Sequence, residues 1–331
     1  MKKQDGIQSL RALACLLVLC QHSMYFACSV VGMDYRPLLM INFGRIGVSL
    51  FFVISGYVMG SCLEQGKWFL WNRCKRIFPP FWAAIAISGL LVPGGDASWH
   101  FDWSSAALIP PSVLNNSYWI PYWTLCYEFA FYCALYVVIL CRLSKTHTLY
   151  LCLMWLATVV GIDAYRPIGD VDIPEVFIQF AQPGWQILLS PYCIFFIAGL
   201  IYSLTQAASI YRMPTLPLLL ISLVSWSIGN NLRLPSPCNM FLLQSASFVC
   251  LIAAVKAIRT PSWLVKTGDF SYGIYLVHMV LIGALLTWQG HLLQRTSLAG
   301  VFFLLLCTCA AGGLFFGWIE YGLYKRMGGA K

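Results

Sequence analysis

Apolar runs long enough to cross a membrane recur along the chain, separated by short stretches that carry charges or Gly, Pro and Asn. Only 10% of the 331 residues are charged, whereas 60% are hydrophobic. Because soluble domains carry about 25% charged residues, the sequence predicts an all-α integral membrane protein with about ten transmembrane helices. The predicted spans are residues 8–30, 43–62, 79–92, 122–141, 148–163, 187–205, 216–230, 239–258, 269–287 and 298–320, of which the third, fifth and seventh are short.

The basic residues between these runs predict the orientation of the chain in the membrane. An even number of spans places both termini on one side, and cytoplasmic loops carry an excess of Lys and Arg. With cytoplasmic termini, every lysine and arginine faces inward except Arg36, Arg45, Arg166, Arg233 and Arg295. We therefore predict that both termini are cytoplasmic and that residues 1–331 form a single membrane domain with no appended soluble domain.

Charge and cysteine content exclude two classes of partner. The net charge of +9 does not indicate nucleic-acid binding, because the basic residues form no single patch. The 14 cysteines lack the paired spacing of a zinc site, and most lie in apolar runs, where Cys behaves as a small hydrophobic residue. We expect neither nucleic acid nor a metal ion as a partner, and we expect membrane lipids around the chain.

Two ionisable residues share one face of the first predicted span. Arg11 and His22 are eleven residues apart, which is close to three helical turns and about 16 Å along the axis. An ionisable side chain within a membrane is costly and therefore marks a candidate functional site. A neutral imidazole accepts a proton from a hydroxyl near neutral pH, so His22 is a candidate general base for acyl transfer.

A basic segment, residues 71–80, follows the second span and is expected on the inner face of the membrane. Its Arg73 and Arg76 are three residues apart and share a face if the segment is helical. A guanidinium group binds phosphate oxygens through two parallel hydrogen bonds. With Arg11 these residues predict a cationic cluster for a cytosolic anion such as a nucleotide phosphate. The alternative is that the segment only orients the chain.

The fourth span begins near Trp123 and carries Tyr127 and Glu128. A carboxylate within a membrane must be paired or protonated. Glu128 could orient a histidine, relay a proton or bind a sugar hydroxyl, and an ion pair with Arg45 is the structural alternative. We predict a catalytic role for Glu128. We also predict that Trp123 and Tyr127 bind the molecule that accepts the acyl group.

The ninth span carries His278 in its interior and opens at Asp269, which is expected to cap the helix. A hydrogen bond from His278 to another helix and a role in chemistry both remain open. If the chain transfers an acyl group, we predict that His278 contacts the molecule that accepts this group.

Other segments predict packing and loop features. Small residues within residues 44–57 predict close contact between helices. The outer loops, residues 93–121 and 164–186, carry Trp and Pro residues that either lie at the membrane interface or line a sugar-binding mouth.

Five short segments occur in the order typical of one family of membrane enzymes. They are Arg11–Ala14 with His22, Gly47–Gly56, Arg73–Pro79, Trp123–Tyr132 and Phe270–His278. Through them nearly the whole chain resembles the acyltransferase-3 family of integral membrane acyltransferases, and most of all the branch that O-acetylates exopolysaccharide and lipopolysaccharide sugars. The resemblance implies acetyl-CoA as the acyl donor and a carbohydrate hydroxyl on the far side of the membrane as the acceptor.

Within this resemblance His22 matches the essential histidine of the first span, and Arg11, Arg73 and Arg76 match the arginines that hold the CoA end. It implies a membrane O-acetyltransferase of the bacterial cytoplasmic membrane that modifies a surface polysaccharide or its lipid-linked precursor. Polysaccharide-assembly proteins are its expected partners.

Two alternatives come from other functional classes. One is a transporter or flippase for a lipid-linked saccharide, and the other is a structural partner of a polymer synthase. The sequence shows no internal repeat of the kind common in transporters. A structural partner would leave Arg11 and His22 without a role.

Overall fold

The computed structural model describes residues 5–39, 41–93, 99–166, 182–205, 213–231, 237–256 and 258–327. Ten long helices occupy most of these ranges, and no strand occurs within them. The helices are α1 (Asp5–Val31), α2 (Phe43–Gly60), α3 (Phe69–Leu91), α4 (Trp123–Leu140), α5 (Lys145–Tyr165), α6 (Cys193–Thr205), α7 (Thr215–Asn231), α8 (Pro237–Val255), α9 (Ser262–Leu293) and α10 (Leu298–Arg326). Each overlaps one predicted span, and the all-α membrane class is confirmed.

Helix length and composition support membrane crossing for seven helices of the described part of the chain, namely α1, α2, α4, α5, α8, α9 and α10. The helices α6 and α7 are apolar but shorter, and α3 carries Arg73, Lys75 and Arg76 in its first half. The count of ten crossings and the cytoplasmic location of the termini therefore stay predictions.

Two helices begin well before the apolar runs that predicted them. The helix α3 starts at Phe69, so the segment expected as an inner loop is helical and contains Pro79 and Pro80. The helix α9 starts at Ser262 after Pro261, so the expectation that Asp269 caps it is wrong. The reason is physical: backbone hydrogen bonds extend a helix through polar residues, whereas apolar content ends at the membrane boundary.

Glycines bring neighbouring helices to backbone contact. A Cβ atom on Gly56 of α2 would lie 2.0 Å from the carbonyl oxygen of Phe196, and one on Gly199 of α6 would lie 2.0 Å from that of Val53. A Cβ atom on Gly273 of α9 would lie 2.4 Å from the Cα of a glycine in α10. Any larger side chain would separate these helices. The close packing predicted for residues 44–57 is confirmed.

The helix α1 lies inside the bundle and contacts α2, α8, α9 and α10. Gly47 and Gly268 allow this, because a Cβ atom on either would lie within 2.4 Å of a backbone carbonyl oxygen of α1. Because α1 contacts four helices, Arg11 and His22 are partly buried within the bundle.

The loop between α3 and α4 is held by buried tyrosines. The hydroxyl of Tyr118 donates to the carbonyl oxygen of Asp102 at 2.9 Å, and Tyr122 hydrogen-bonds Ser105 at 2.9 Å. Trp103 is 80% exposed, whereas the Trp119 ring lies against Gly283 of α9. The loop therefore combines an ordered base with one projecting indole ring. The second predicted loop, residues 164–186, lies largely outside the described residues.

The topology prediction is directly testable. A reporter enzyme that is active only in the periplasm should be active when fused after residue 105 and inactive when fused after residue 331. The expectation follows from the positive-inside rule applied to the basic loops. An active fusion at the C-terminus would indicate an odd number of crossings, with α3, α6 or α7 as the helix that does not cross.

Candidate functional site

A cavity lies between α1, α2, α3, α4 and α9, and we name it the arginine cavity. Its polar lining consists of Arg11, Ser55, Arg73, Arg76, Thr124, Glu128, Tyr132, Ser271, Tyr272 and Tyr275, and apolar residues, mostly of α2, complete the wall. Three guanidinium groups face one carboxylate on this lining. The structure thus brings together the three arginines that the sequence analysis grouped, and the cavity favours an anionic ligand.

Two of the arginines have no carboxylate partner among the described residues. The guanidinium of Arg73 lies 5.6 Å from the Phe69 ring centre and 5.9 Å from that of Tyr132, and its Nη2 donates to the Cys62 sulfur at 3.7 Å. The Nε atom of Arg73 is buried with no described hydrogen-bond partner. Arg11 forms no ion pair with a described carboxylate. Both side chains are therefore available to an anion that enters the cavity.

Arg76 differs from the other two arginines because it forms an ion pair with Glu320 of α10. Its guanidinium carbon also lies 4.7 Å from the Tyr324 ring centre and 5.3 Å from that of Tyr272. Glu320 was missed in the sequence analysis, although a lone acidic residue in the apolar last span was the signal for it. Arg76 thus connects α3 to α10 as well as lining the cavity.

Glu128 lies in the same cavity as the arginines and accepts a hydrogen bond from the hydroxyl of Tyr132, one turn further along α4. The alternative ion pair with Arg45 is not formed, because the Nη2 atom of Arg45 is directed to the sulfur of Met240 at 4.0 Å. Without Arg45 as a partner, the Glu128 carboxylate offsets part of the positive charge that the three arginines give to the cavity.

His22 and His278 form a hydrogen-bonded pair between α1 and α9. The His22 Nδ1 and His278 Nε2 atoms are 2.7 Å apart, and the two ring planes differ by 4°. The His278 Nδ1 atom lies 2.6 Å from the carbonyl oxygen of Tyr275, and His278 is fully buried. Of the roles left open for His278, the hydrogen bond to another helix is present.

Tyr275 lies between the arginine cavity and the histidine pair. Its side chain lines the cavity, and its ring centre lies 5.6 Å from that of His278. Its hydroxyl lies 2.8 Å from the Thr124 hydroxyl of α4. Neither Tyr275 nor Thr124 was singled out from the sequence, although each lies inside a segment that was. Both residues line the arginine cavity, whereas neither His22 nor His278 does.

Trp123 and Tyr127 occupy the opposite face of α4 from the cavity-lining residues. The Tyr127 hydroxyl donates to the Ser190 hydroxyl at 2.8 Å, and both rings pack against Tyr192. Neither residue lines the arginine cavity. Their acceptor role stays a prediction. Within the described ranges, no group of three or more His, Cys, Asp or Glu side chains could hold a metal ion.

Comparison with known proteins assigns a family to this arrangement. A family model described as an acyltransferase domain matches residues 4–317. The chain is 26% identical to acyltransferase MdmB of Streptomyces mycarofaciens, over 98% of this chain and 92% of that protein. It is also 26% identical to the exopolysaccharide production protein ExoZ of Rhizobium meliloti (strain 1021), over 72% of this chain and 77% of that protein. No solved structure matches the chain significantly. The histidine pair and the arginine cavity thus lie in a protein that belongs to the acyltransferase-3 family of membrane acyltransferases.

Proposed function

We propose that the protein is an O-acetyltransferase that moves an acetyl group from cytosolic acetyl-CoA to a sugar hydroxyl of a surface polysaccharide or its lipid-linked precursor. The observation that carries the proposal is the arginine cavity, whose lining residue Tyr275 contacts the histidine pair. The cavity offers an anion-binding region, and the histidine pair behind Tyr275 offers a proton acceptor, the two parts that transfer from a charged donor requires.

The donor would bind through its phosphates. Arg11 and Arg73 present guanidinium groups without a carboxylate partner among the described residues, so an entering phosphate need not break an ion pair. Arg76 would contribute charge while it holds Glu320. In the low-dielectric interior, such charge-assisted hydrogen bonds are stronger than those in water.

His22 would act as the general base. In the proposed step it takes the proton of the acceptor hydroxyl, and the hydroxyl oxygen attacks the thioester carbonyl carbon. The carbon–sulfur bond breaks, the acetyl ester forms, and the CoA thiolate receives the proton that His22 carried. For this step the thioester must approach past Tyr275, which borders both the cavity and the histidine pair.

The carbohydrate acceptor is supported by one relative. ExoZ is an exopolysaccharide production protein, and MdmB is an acyltransferase. The multi-pass helical fold suits an enzyme of the bacterial cytoplasmic membrane, with the donor on the cytosolic side and the acceptor on the outer side. Polysaccharide-assembly proteins would supply the acceptor. The family match favours this reading over the transporter and structural-partner alternatives.

Labelled acetyl-CoA tests the proposal with purified protein in detergent. We expect slow thioester hydrolysis, or transfer to an added glycan acceptor, that is lost in a His22→Ala variant. Mass analysis of surface glycans from cells with and without the protein would identify the acceptor through the missing acetyl increment. Binding of acetyl-CoA without any turnover, together with unchanged glycans, would refute the proposed activity.

An Arg73→Lys variant should bind CoA about tenfold more weakly although charge is kept, because Lys lacks the planar two-pronged geometry that matches phosphate. Calorimetric titration with CoA provides the measurement. Arg326→Lys is the matched control, since Arg326 is exposed at the end of α10 and lies outside the cavity lining. Equal CoA affinity in the two variants would restrict the role of Arg73 to membrane orientation.

A Glu128→Gln variant should move CoA binding and transfer in opposite directions. Loss of the carboxylate removes repulsion of an anionic donor, so CoA should bind more tightly. Transfer should fall about tenfold, because hydrogen bonds to a charged group contribute about 1.5–3 kcal/mol each. CoA titration and transfer assays on the same preparation measure both. Weaker CoA binding at unchanged melting temperature would mean that Glu128 contacts the donor directly.

A further inference from the structure

We propose that His278 is a positioning residue that fixes the tautomer of His22 and thereby assigns Nε2 of His22 as the atom that takes the proton. The inference deepens the proposed function, on which its catalytic consequence rests, whereas the tautomer itself is independent of any activity. It follows from a chain of two hydrogen bonds that begins at a backbone carbonyl group.

The first bond determines the protonation of His278. Its Nδ1 atom lies 2.6 Å from the carbonyl oxygen of Tyr275, and a carbonyl oxygen can only accept. The Nδ1 atom of His278 therefore carries a hydrogen. In the neutral ring, Nε2 is then an acceptor.

The second bond passes this assignment to His22. The Nε2 acceptor of His278 lies 2.7 Å from Nδ1 of His22, so Nδ1 of His22 must donate. A neutral His22 consequently has its lone pair on Nε2. The hydrogen bond made by one ring nitrogen thus sets the proton-accepting character of the other.

A doubly protonated His278 would reverse the assignment, because its Nε2 would then donate to His22. That state needs a positive charge on a fully buried ring within the membrane bundle. Among the described residues, the polar partners of the His278 ring are His22 and the backbone of Tyr275 and Ile274, and none of them brings a compensating negative charge. The Cys309 thiol donates its hydrogen to the backbone carbonyl of His278, and a thiol that keeps its hydrogen brings no negative charge. Burial of an unpaired charge disfavours the doubly protonated state.

The pair also stabilises the intermediate protonation state of the reaction. When Nε2 of His22 accepts the acceptor's proton, the ring becomes a cation whose Nδ1–H still donates to Nε2 of His278. This hydrogen bond then becomes charge-assisted, which makes it stronger than a bond between two neutral rings. The Tyr275 carbonyl accepts without taking a proton, so the proton returns from Nε2 of His22 to the departing thiolate.

Nitrogen NMR of histidine-labelled protein in detergent tests the tautomer directly, with the His22 signals assigned from a His22→Ala variant. We expect a protonated Nδ1 and an unprotonated Nε2 at His22. His278→Leu removes the acceptor, and His22 should shift towards the Nε2–H form that a neutral imidazole prefers in water. His278→Gln is the matched control, because its side-chain amide oxygen can occupy the position of Nε2 and should keep Nδ1 of His22 protonated.

Kinetics supply the second readout. His278→Leu should lower kcat for transfer about 10²-fold or more with unchanged CoA affinity, since a wrong histidine tautomer in a serine-protease triad costs about 10⁴-fold. His278→Gln should restore kcat to within a few-fold of the parent. A protonated Nε2 at His22 in the parent protein would overturn the proposal, as would a His278→Leu variant with unaltered kcat. Lack of transfer by the parent protein with the expected NMR result would instead refute the proposed function alone.

Discussion

Replacement of His22 should lower acetyl transfer by about 10²–10⁴-fold, the usual contribution of a general base. The informative variant is His22→Asn rather than His22→Ala. Asn keeps a side-chain N–H near the position of Nδ1, so the hydrogen bond to His278 can persist, but it offers no basic nitrogen. Transfer of labelled acetyl to glycan is the measurement, with melting temperature and CoA affinity recorded on the same protein.

The His22→Asn result separates chemistry from packing. A large loss of transfer with unchanged stability and CoA affinity is expected for a general base. His22→Ala should show the same catalytic loss with a lower melting temperature, because the buried Nε2 acceptor of His278 loses its donor at a cost of about 1–3 kcal/mol. Retention of more than a third of the transfer rate in the Asn variant would exclude His22 as the base.

Removal of Arg76 should have the largest effect on stability. Arg76→Ala would leave the Glu320 carboxylate, only 5% exposed, without its cation. Loss of one partner of a buried ion pair costs about 3–5 kcal/mol. A lower midpoint of thermal unfolding in detergent measures this effect, and Lys75→Ala on the same helix is the control, because Lys75 lies outside the cavity lining.

The double variant Arg76→Met with Glu320→Met tests the donor-binding role of Arg76 without an unpaired carboxylate. Apolar replacement of both partners is often neutral for stability. We therefore expect a melting temperature near that of the parent and CoA affinity reduced about tenfold through loss of one phosphate contact. Parent-like CoA affinity in the double variant would limit Arg76 to connecting α3 and α10.

The positions of the helices could be predicted from the sequence because apolar runs of spanning length are rare outside membrane proteins. The helix ends could not, since polar residues before Ile77 and before Asp269 continue the same backbone hydrogen bonding. The resemblance to the acyltransferase-3 family also predicted that Arg11, Arg73 and Arg76 act together, and the three residues line one cavity.

The pairings between helices could not be predicted in the same way. His22 and His278 are 256 residues apart, and Arg76 and Glu320 are 244 residues apart. A helix that is apolar on all sides gives no signal for which side meets which neighbour. The lone charged or polar residue in each span identifies a candidate, but its partner depends on how the helices pack. For the same reason the packing of Tyr127 against Tyr192 could not be predicted, and its acceptor role stays a prediction.

The glycine contacts also bear on how the cell keeps its electrochemical gradient. Gly56 fixes α2 against α6, and Gly273 fixes α9 against α10, each at backbone distance. A protein that rocked these helices apart to admit its substrates would open a hydrated path and conduct protons. With α2 and α9 held to their neighbours, the two substrates of the proposed reaction would meet without separation of these helix pairs. An acetyl group could then leave the cytosol without any loss of the energy stored across the membrane.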